Sequence, residues 1–163
     1  MPEDMTADAV RIEEYDGDRG RIEWLMRLAE ESDQMLYSYR DTGRVWVAVT
    51  DAGEIVGQLL AAPEADGVSW EIVNLGIAEP LRGKGIGRRM VELAIAEAGK
   101  AGMSRVEVAT AATDIGNLRF YQRCGFRMSR IVRDAFGAHT GYPEWIDVDG
   151  IPLRDQVWFD MEL

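Results

Sequence analysis

The chain has 163 residues, with 18 basic and 29 acidic side chains and a net charge of −11. That length suits one domain with an adequate core, and the acidic balance disfavours nucleic acids and anionic membranes as partners. No apolar run approaches the ~20 residues that a membrane helix needs, one cysteine (Cys124) leaves no internal disulfide, and one histidine (His139) leaves no structural zinc cluster.

Met1 to Ala9 is acidic and polar and reads as a disordered leader rather than a signal peptide, so the folded domain is expected over 10–163, in the cytoplasm. Val10 to Glu14 alternates as a first strand. Ile22 to Glu31 carries apolar residues at helical spacing, and a second helix follows towards Tyr39. Arg44 to Thr50 and Glu54 to Ala61 read as strands joined by the turn Asp51-Ala52-Gly53. Asp66-Gly67 then turns the chain into a strand over Val68 to Ile77. A helix starts at Gly85 with Ile86, Met90, Ala94 and Ala98 on one face, and Lys100 and Gly102 mark its end. Val106 and Val108 alternate in another strand, and a short helix runs from Asp114 to Gly125. Arg127 to Phe136 and Asp155 to Leu163 complete the order β-α-α-β-β-β-α-β-α-β-β.

The segment Arg82-Gly83-Lys84-Gly85-Ile86-Gly87 joins the strand ending at Ile77 to the helix from Gly85. Glycines let backbone N–H groups approach an anion, and the helix N-terminus favours negative charge there. Arg82, Lys84 and Arg88 add cations, so the turn predicts a cradle for a phosphorylated cofactor. The spacing matches neither a Walker A loop nor G-x-G-x-x-G. Downstream, Asp114 caps a helix that carries Asn117 and Tyr121 on one face and stops at Gly125-Phe126.

These two segments, in this order and separated by one helix and one strand, resemble the GNAT acyltransferase superfamily. The resemblance implies an α/β fold: one domain with a mixed, mostly antiparallel sheet splayed in the middle and helices on both faces. It implies acetyl-CoA (CoA) as cofactor, with its pyrophosphate on Arg82, Gly83, Lys84, Gly85, Ile86, Gly87 and Arg88. The pantetheine arm would lie along Asn74, Leu75, Gly76 and Ile77, with Gly76 leaving room for a close approach, and would meet Asn117. Tyr121 would protonate the leaving thiolate.

Aminolysis of a thioester needs a neutral amine and a donor to the developing oxyanion, for which a backbone N–H near Ile77 is expected. Glu71, a carboxylate in an otherwise apolar strand, is the candidate base, and its place matches the base glutamate of histone-acetylating branches; water is the alternative. Cys124 reads as a packing residue and His139 as a loop residue. The resemblance also implies that two acidic groups flank the acceptor side: Glu30, Glu31 and Asp33 after the first helix, and Asp134, Glu144 and Asp147 in the long loop from Asp134 to Asp155, with Tyr142 and Trp145 beside them. Carboxylates and aromatics there would suit a small cationic amine, with aminoglycoside-modifying enzymes, and hence antibiotic resistance, as the leading specific expectation. A protein or peptide N-acetyltransferase and a non-catalytic CoA-binding sensor remain the alternatives, and a homodimer stays open.

Overall fold

The computed structural model describes residues 9–143 and 146–163; the leader expected over Met1 to Ala9 falls almost wholly outside them, as do Glu144 and Trp145. Seven strands form one sheet in the order β1-β2-β3-β4-β5-β9-β6. They are β1 (Val10–Tyr15), β2 (Arg44–Thr50), β3 (Ile55–Pro63), β4 (Ser69–Ile77), β5 (Arg105–Ala111), β6 (Arg127–Val132) and β9 (Gln156–Glu162). Every pairing is antiparallel except β4 with β5, which needs a crossover, and α3 (Ile86–Lys100) supplies it. The fold is therefore the expected splayed α/β sheet.

Helices cover both faces. On one side Ile86, Met90, Ala94 and Ala98 of α3 are all buried, as their spacing predicts, and pack with Trp70, Ile72, Val106 and Val108. Tyr121 of α4 (Ile115–Arg123) joins the same core. On the other side α1 (Glu23–Met26) and α2 (Asp33–Tyr39) set Ile22, Met26 and Leu36 against Val45, Val47 and Val49. The first helix is shorter than its periodicity predicts. A 3₁₀ turn over Arg19–Ile22 leads into α1, and the chain unwinds after Met26 because Ser32 starts a new helix, accepting from Met35 N–H at 3.2 Å. The loop after β6 holds a small hairpin of β7 (Asp147–Val148) and β8 (Ile151–Pro152), which no periodicity marks.

One irregularity shapes the sheet. Leu60 pairs with Asn74 while Ala61 pairs with Ile72, which leaves Val73 as an extra residue in β4. An inserted residue swaps the two faces of a strand with period two and bends it. Trp70 and Ile72 face α3 before the bulge, and Leu75 and Ile77 take over that face after it. Asn74 and Gly76 turn instead towards α1. Pairing with β5 stops at Ile72 with Val108, immediately before the bulge. The rest of β4 is left with an open edge, and the sheet splays there.

Candidate active site

The open edge of β4 has a definite polarity. Ala78 N–H donates to Val56 O at 2.8 Å on the β3 side, so alternation turns the N–H and C=O of Ile77 and Leu75 towards the splay. Arg82 Nε donates to Ile77 O at 3.0 Å and ties the following turn to that edge. The turn itself leaves its backbone open. Gly83 and Gly85 have φ of +77° and +84°, and a Cβ at either would meet no atom within 4 Å. The conformation demands glycine while the space in front of it stays open. α3 starts at Gly85 with no side-chain cap, so its first N–H groups remain available. Arg82, Lys84 and Arg88 are exposed around the rim, with Arg88 Nε also reaching Glu92 at 3.1 Å. Gly87 lies against Phe120, which fixes the helix start onto α4.

Gly76 has a different role from the one its sequence position suggests. A Cβ there would collide with the carbonyl oxygen of Leu25, so the close approach it permits is that of α1. Across the splay, Asp114 caps α4 and Asn117 Nδ2 donates to Thr110 Oγ1 of β5 at 3.3 Å. Tyr121, one turn further on, is 5% exposed, with its ring among Phe120, Phe126 and Phe159. Burial pushes its phenol well above the usual tyrosine range, so the hydroxyl holds its proton at neutral pH. Cys124 is half-buried and burial likewise raises its thiol, which fits packing rather than nucleophilic work.

On the opposite face, alternation with Trp70 and Ile72 points Glu71 away from α3. Burial first, then the like charges of Glu64 and Glu107, push its carboxyl up to about 7, with Arg130 pulling the other way. A group that titrates there is half ionised near neutrality and can accept a proton at useful rates. Glu107 lies opposite Glu71 in the parallel register and is bound by Arg105 Nε at 3.2 Å and Arg130 Nη1 at 3.6 Å.

A polar chain runs inward from the acceptor side. Gln58 Nε2 donates to Asn74 Oδ1 at 2.5 Å, and Asn74 Nδ2 donates to Met26 O at 3.0 Å and to Tyr39 Oη at 2.8 Å. Tyr39 donates to Glu30 at 3.4 Å, and Tyr142 donates to the other oxygen of the same carboxylate. Burial raises the Glu30 carboxyl in spite of these donors. Two further bonds fasten the long loop to the α1–α2 turn: Ser32 Oγ to Thr140 O at 2.6 Å and Gln34 Nε2 to His139 O at 3.0 Å.

Of the acidic residues expected on the acceptor side, only Glu30 joins this network. Asp33 binds Arg27 at 2.6 Å, and Asp147 accepts from Gly150 N–H at 2.9 Å to close its own turn. Glu31 is exposed, and Asp134 is exposed at a positive φ of 56° with its N–H on Asp155 at 3.0 Å. Glu144 lies outside the described residues. Sequence reasoning missed Tyr39 and Glu107 as parts of the site, and set Asn74 on the cofactor edge, whereas its side chain joins this network. Only Glu107 left a signal, since a carboxylate between Val106 and Val108 repeats the pattern that picks out Glu71.

Residues 10–126 match the Acetyltransferase (GNAT) family. The chain belongs to that family, and it is an N-acetyltransferase that uses acetyl-CoA. It is 32% identical over 159 residues to YvbK of Bacillus subtilis, named an uncharacterized N-acetyltransferase, covering 98% of this chain and 100% of the relative. The structure of an IAA acetyltransferase from Bacillus cereus is 35% identical, with a TM-score of 0.84 over 94% of this chain and 99% of the other. A GNAT acetyltransferase from Elizabethkingia anophelis, solved with acetyl-CoA bound, is 28% identical, with a TM-score of 0.86 over 96% and 99% of the two chains.

Proposed function

We propose that the protein acetylates a primary amine of a small cationic acceptor, with Glu71 as the base and Tyr121 as the acid. The residues fit the cofactor by the criterion of open space: two left-handed glycines with nothing in front of them, an uncapped helix start and an unpaired strand edge. Arg82 to Arg88 would hold the pyrophosphate, and the edge from Leu75 to Ile77, together with Asn117, would hold the arm. Acetyl-CoA, when bound there, supplies the activated acetyl group.

The chain's own residues then handle two protons and one developing charge. Glu71 takes a proton from the acceptor ammonium, for which its raised carboxyl is matched. The Ile77 N–H, on the open edge, would donate to the oxyanion without reorganising. Tyr121 Oη, a phenol protonated at neutral pH, would give its proton to the departing thiolate.

The observation that carries the acceptor class is the fastening of the long loop to the α1–α2 turn, with Glu30 turned inward beneath it. A loop held over one inward-turned carboxylate suits a compact polyamine or aminoglycoside better than a polypeptide, which would want an open groove. A thiol-release screen across aminoglycosides, polyamines and peptides tests this. We expect turnover with a polycationic amine and a Michaelis constant that rises steeply with salt, since the steering charges are screened over ~8 Å at physiological ionic strength. Acetylation of a peptide N-terminus with no polycation above background would overturn the reading.

A further inference from the structure

We propose that Glu107 is a positioning residue for acceptor deprotonation: anchored by Arg105 and Arg130 and lying one strand away from Glu71, it governs how readily Glu71 takes the acceptor's proton. The inference rests on Glu71 as the base. Its first support is register. β4 and β5 pair in parallel only over Ser69–Ile72, and within that short stretch Glu71 faces Glu107 directly. Directly paired residues project from the same face, so two carboxylates share one patch of sheet at neighbouring-strand distance, about 5 Å between backbones.

The second support is the way Glu107 is held. It is only 6% exposed, yet it is ion-paired twice, to Arg105 of its own strand and to Arg130 of β6. Each guanidinium is fixed in turn. Arg105 also binds Asp66 and Ser69 Oγ, both at 3.1 Å, and Arg130 stacks over the Trp158 ring at 4.3 Å. The core on the other face of β5 is supplied by Val106 and Val108, so packing does not call for a buried carboxylate here. A buried ion pair is weak support for stability, which leaves its electrostatic effect on a neighbour as the physical consequence of keeping it.

The groups acting on Glu71 come from several elements. Glu64, beyond the end of β3, and Glu107 from β5 act as like charges, and Arg130 from β6 opposes them. Tyr39 from α2 stands close enough to feel the charge of Glu71. Glu64 also interacts with Glu107 and is itself pushed up to about 7. Asp160 of β9 lies opposite Glu107 in the antiparallel register. With Glu107 in place, ionising Glu71 adds charge to a site that already carries some. Without it, Arg130 would lose its Glu107 partner and pull harder on Glu71. Both changes act in the same direction.

The test is a carboxyl titration of Glu71 by NMR on full-length protein carrying ¹³C-labelled glutamate, assigned with Glu71→Gln. Glu107→Gln should lower the Glu71 midpoint by about one pH unit, and Arg130→Gln should raise it by about half a unit. Loss of packing alone would not move the midpoint in opposite directions for the two variants. Arg130 is exposed on an edge strand, so its variant keeps the test open if Glu107→Gln fails to fold. Unmoved midpoints would overturn the inference and leave Glu71 free to be the base. Full acetyl-CoA turnover by Glu71→Gln would instead remove Glu71 from the mechanism, and the role of Glu107 with it.

Discussion

Replacing Glu71 by glutamine separates the cost of its burial from its chemistry. The folded carboxyl titrates at about 7, against an ordinary 4.5. A carboxyl raised in this way stabilises the fold below its unfolded midpoint and loses that contribution as pH rises through its folded one. Between those limits the unfolded chain releases the proton first, so the parent should lose stability with rising pH by about 1.4 kcal/mol per unit. Integrated from about pH 5 to about pH 8.5, the loss is about 2.5 kcal/mol. Glutamine keeps the shape and carries no charge at either pH. Urea denaturation at those two pH values should therefore show Glu71→Gln gaining about 2.5 kcal/mol on the parent as pH rises. In the same preparations turnover should fall least near pH 5, where the parent's Glu71 carboxyl is already protonated and cannot take a proton, and most above its midpoint. A stability difference that stays constant between the two pH values would refute the argument that burial and neighbouring carboxylates hold the proton on Glu71.

Two other perturbations probe the cofactor end. Gly85→Val places a branched side chain in the open space of the cradle at a φ of +84°, and CoA affinity measured by calorimetry should fall at least tenfold, about 1.4 kcal/mol. Gly53 has the same φ and the same empty surroundings in the β2–β3 turn, so Gly53→Val should show the backbone strain alone and leave CoA affinity unchanged. Equal loss of affinity in both variants would remove the cradle assignment. Tyr121→Phe deletes a single hydroxyl from a ring packed among three others, so melting should change little while turnover drops by roughly a hundredfold or more. Undiminished turnover would make Tyr121 a core aromatic only.

The geometry of the Arg82–Arg88 turn was legible because it lies in the backbone. Glycines at positive φ, a helix start without a side-chain cap and a cationic rim are written in consecutive residues, from Arg82 to Arg88. The face of α3 was legible for a similar reason, since Ile86, Met90, Ala94 and Ala98 need only the period of a helix. The short α1 was not legible. Apolar spacing continues past Met26, and the helix ends there because Ser32 offers a competing start to α2.

The acceptor end is written across the fold and could be read only in part. Glu71 stood out as a carboxylate in an apolar strand, but that Asn74 and Gly76 share its face depends on the extra residue Val73, which nothing in the local sequence marks. The same bulge explains why Asn74 turns towards Met26 and Tyr39, and why β5 parts from β4 where the cofactor arm is expected. Glu30 was picked out with Glu31 and Asp33 as one acidic group, yet the structure divides them. Glu30 is drawn inward by tyrosines nine and 112 residues away, while Asp33 is neutralised by Arg27. Charge along the chain thus marks a region, and it takes tertiary contacts to decide which carboxylate faces the cleft. The two ends of the site accordingly call for different tests: single glycine substitutions reach the cradle, whereas the acceptor side must be probed through pairs such as Glu71 and Glu107 that only the sheet brings together.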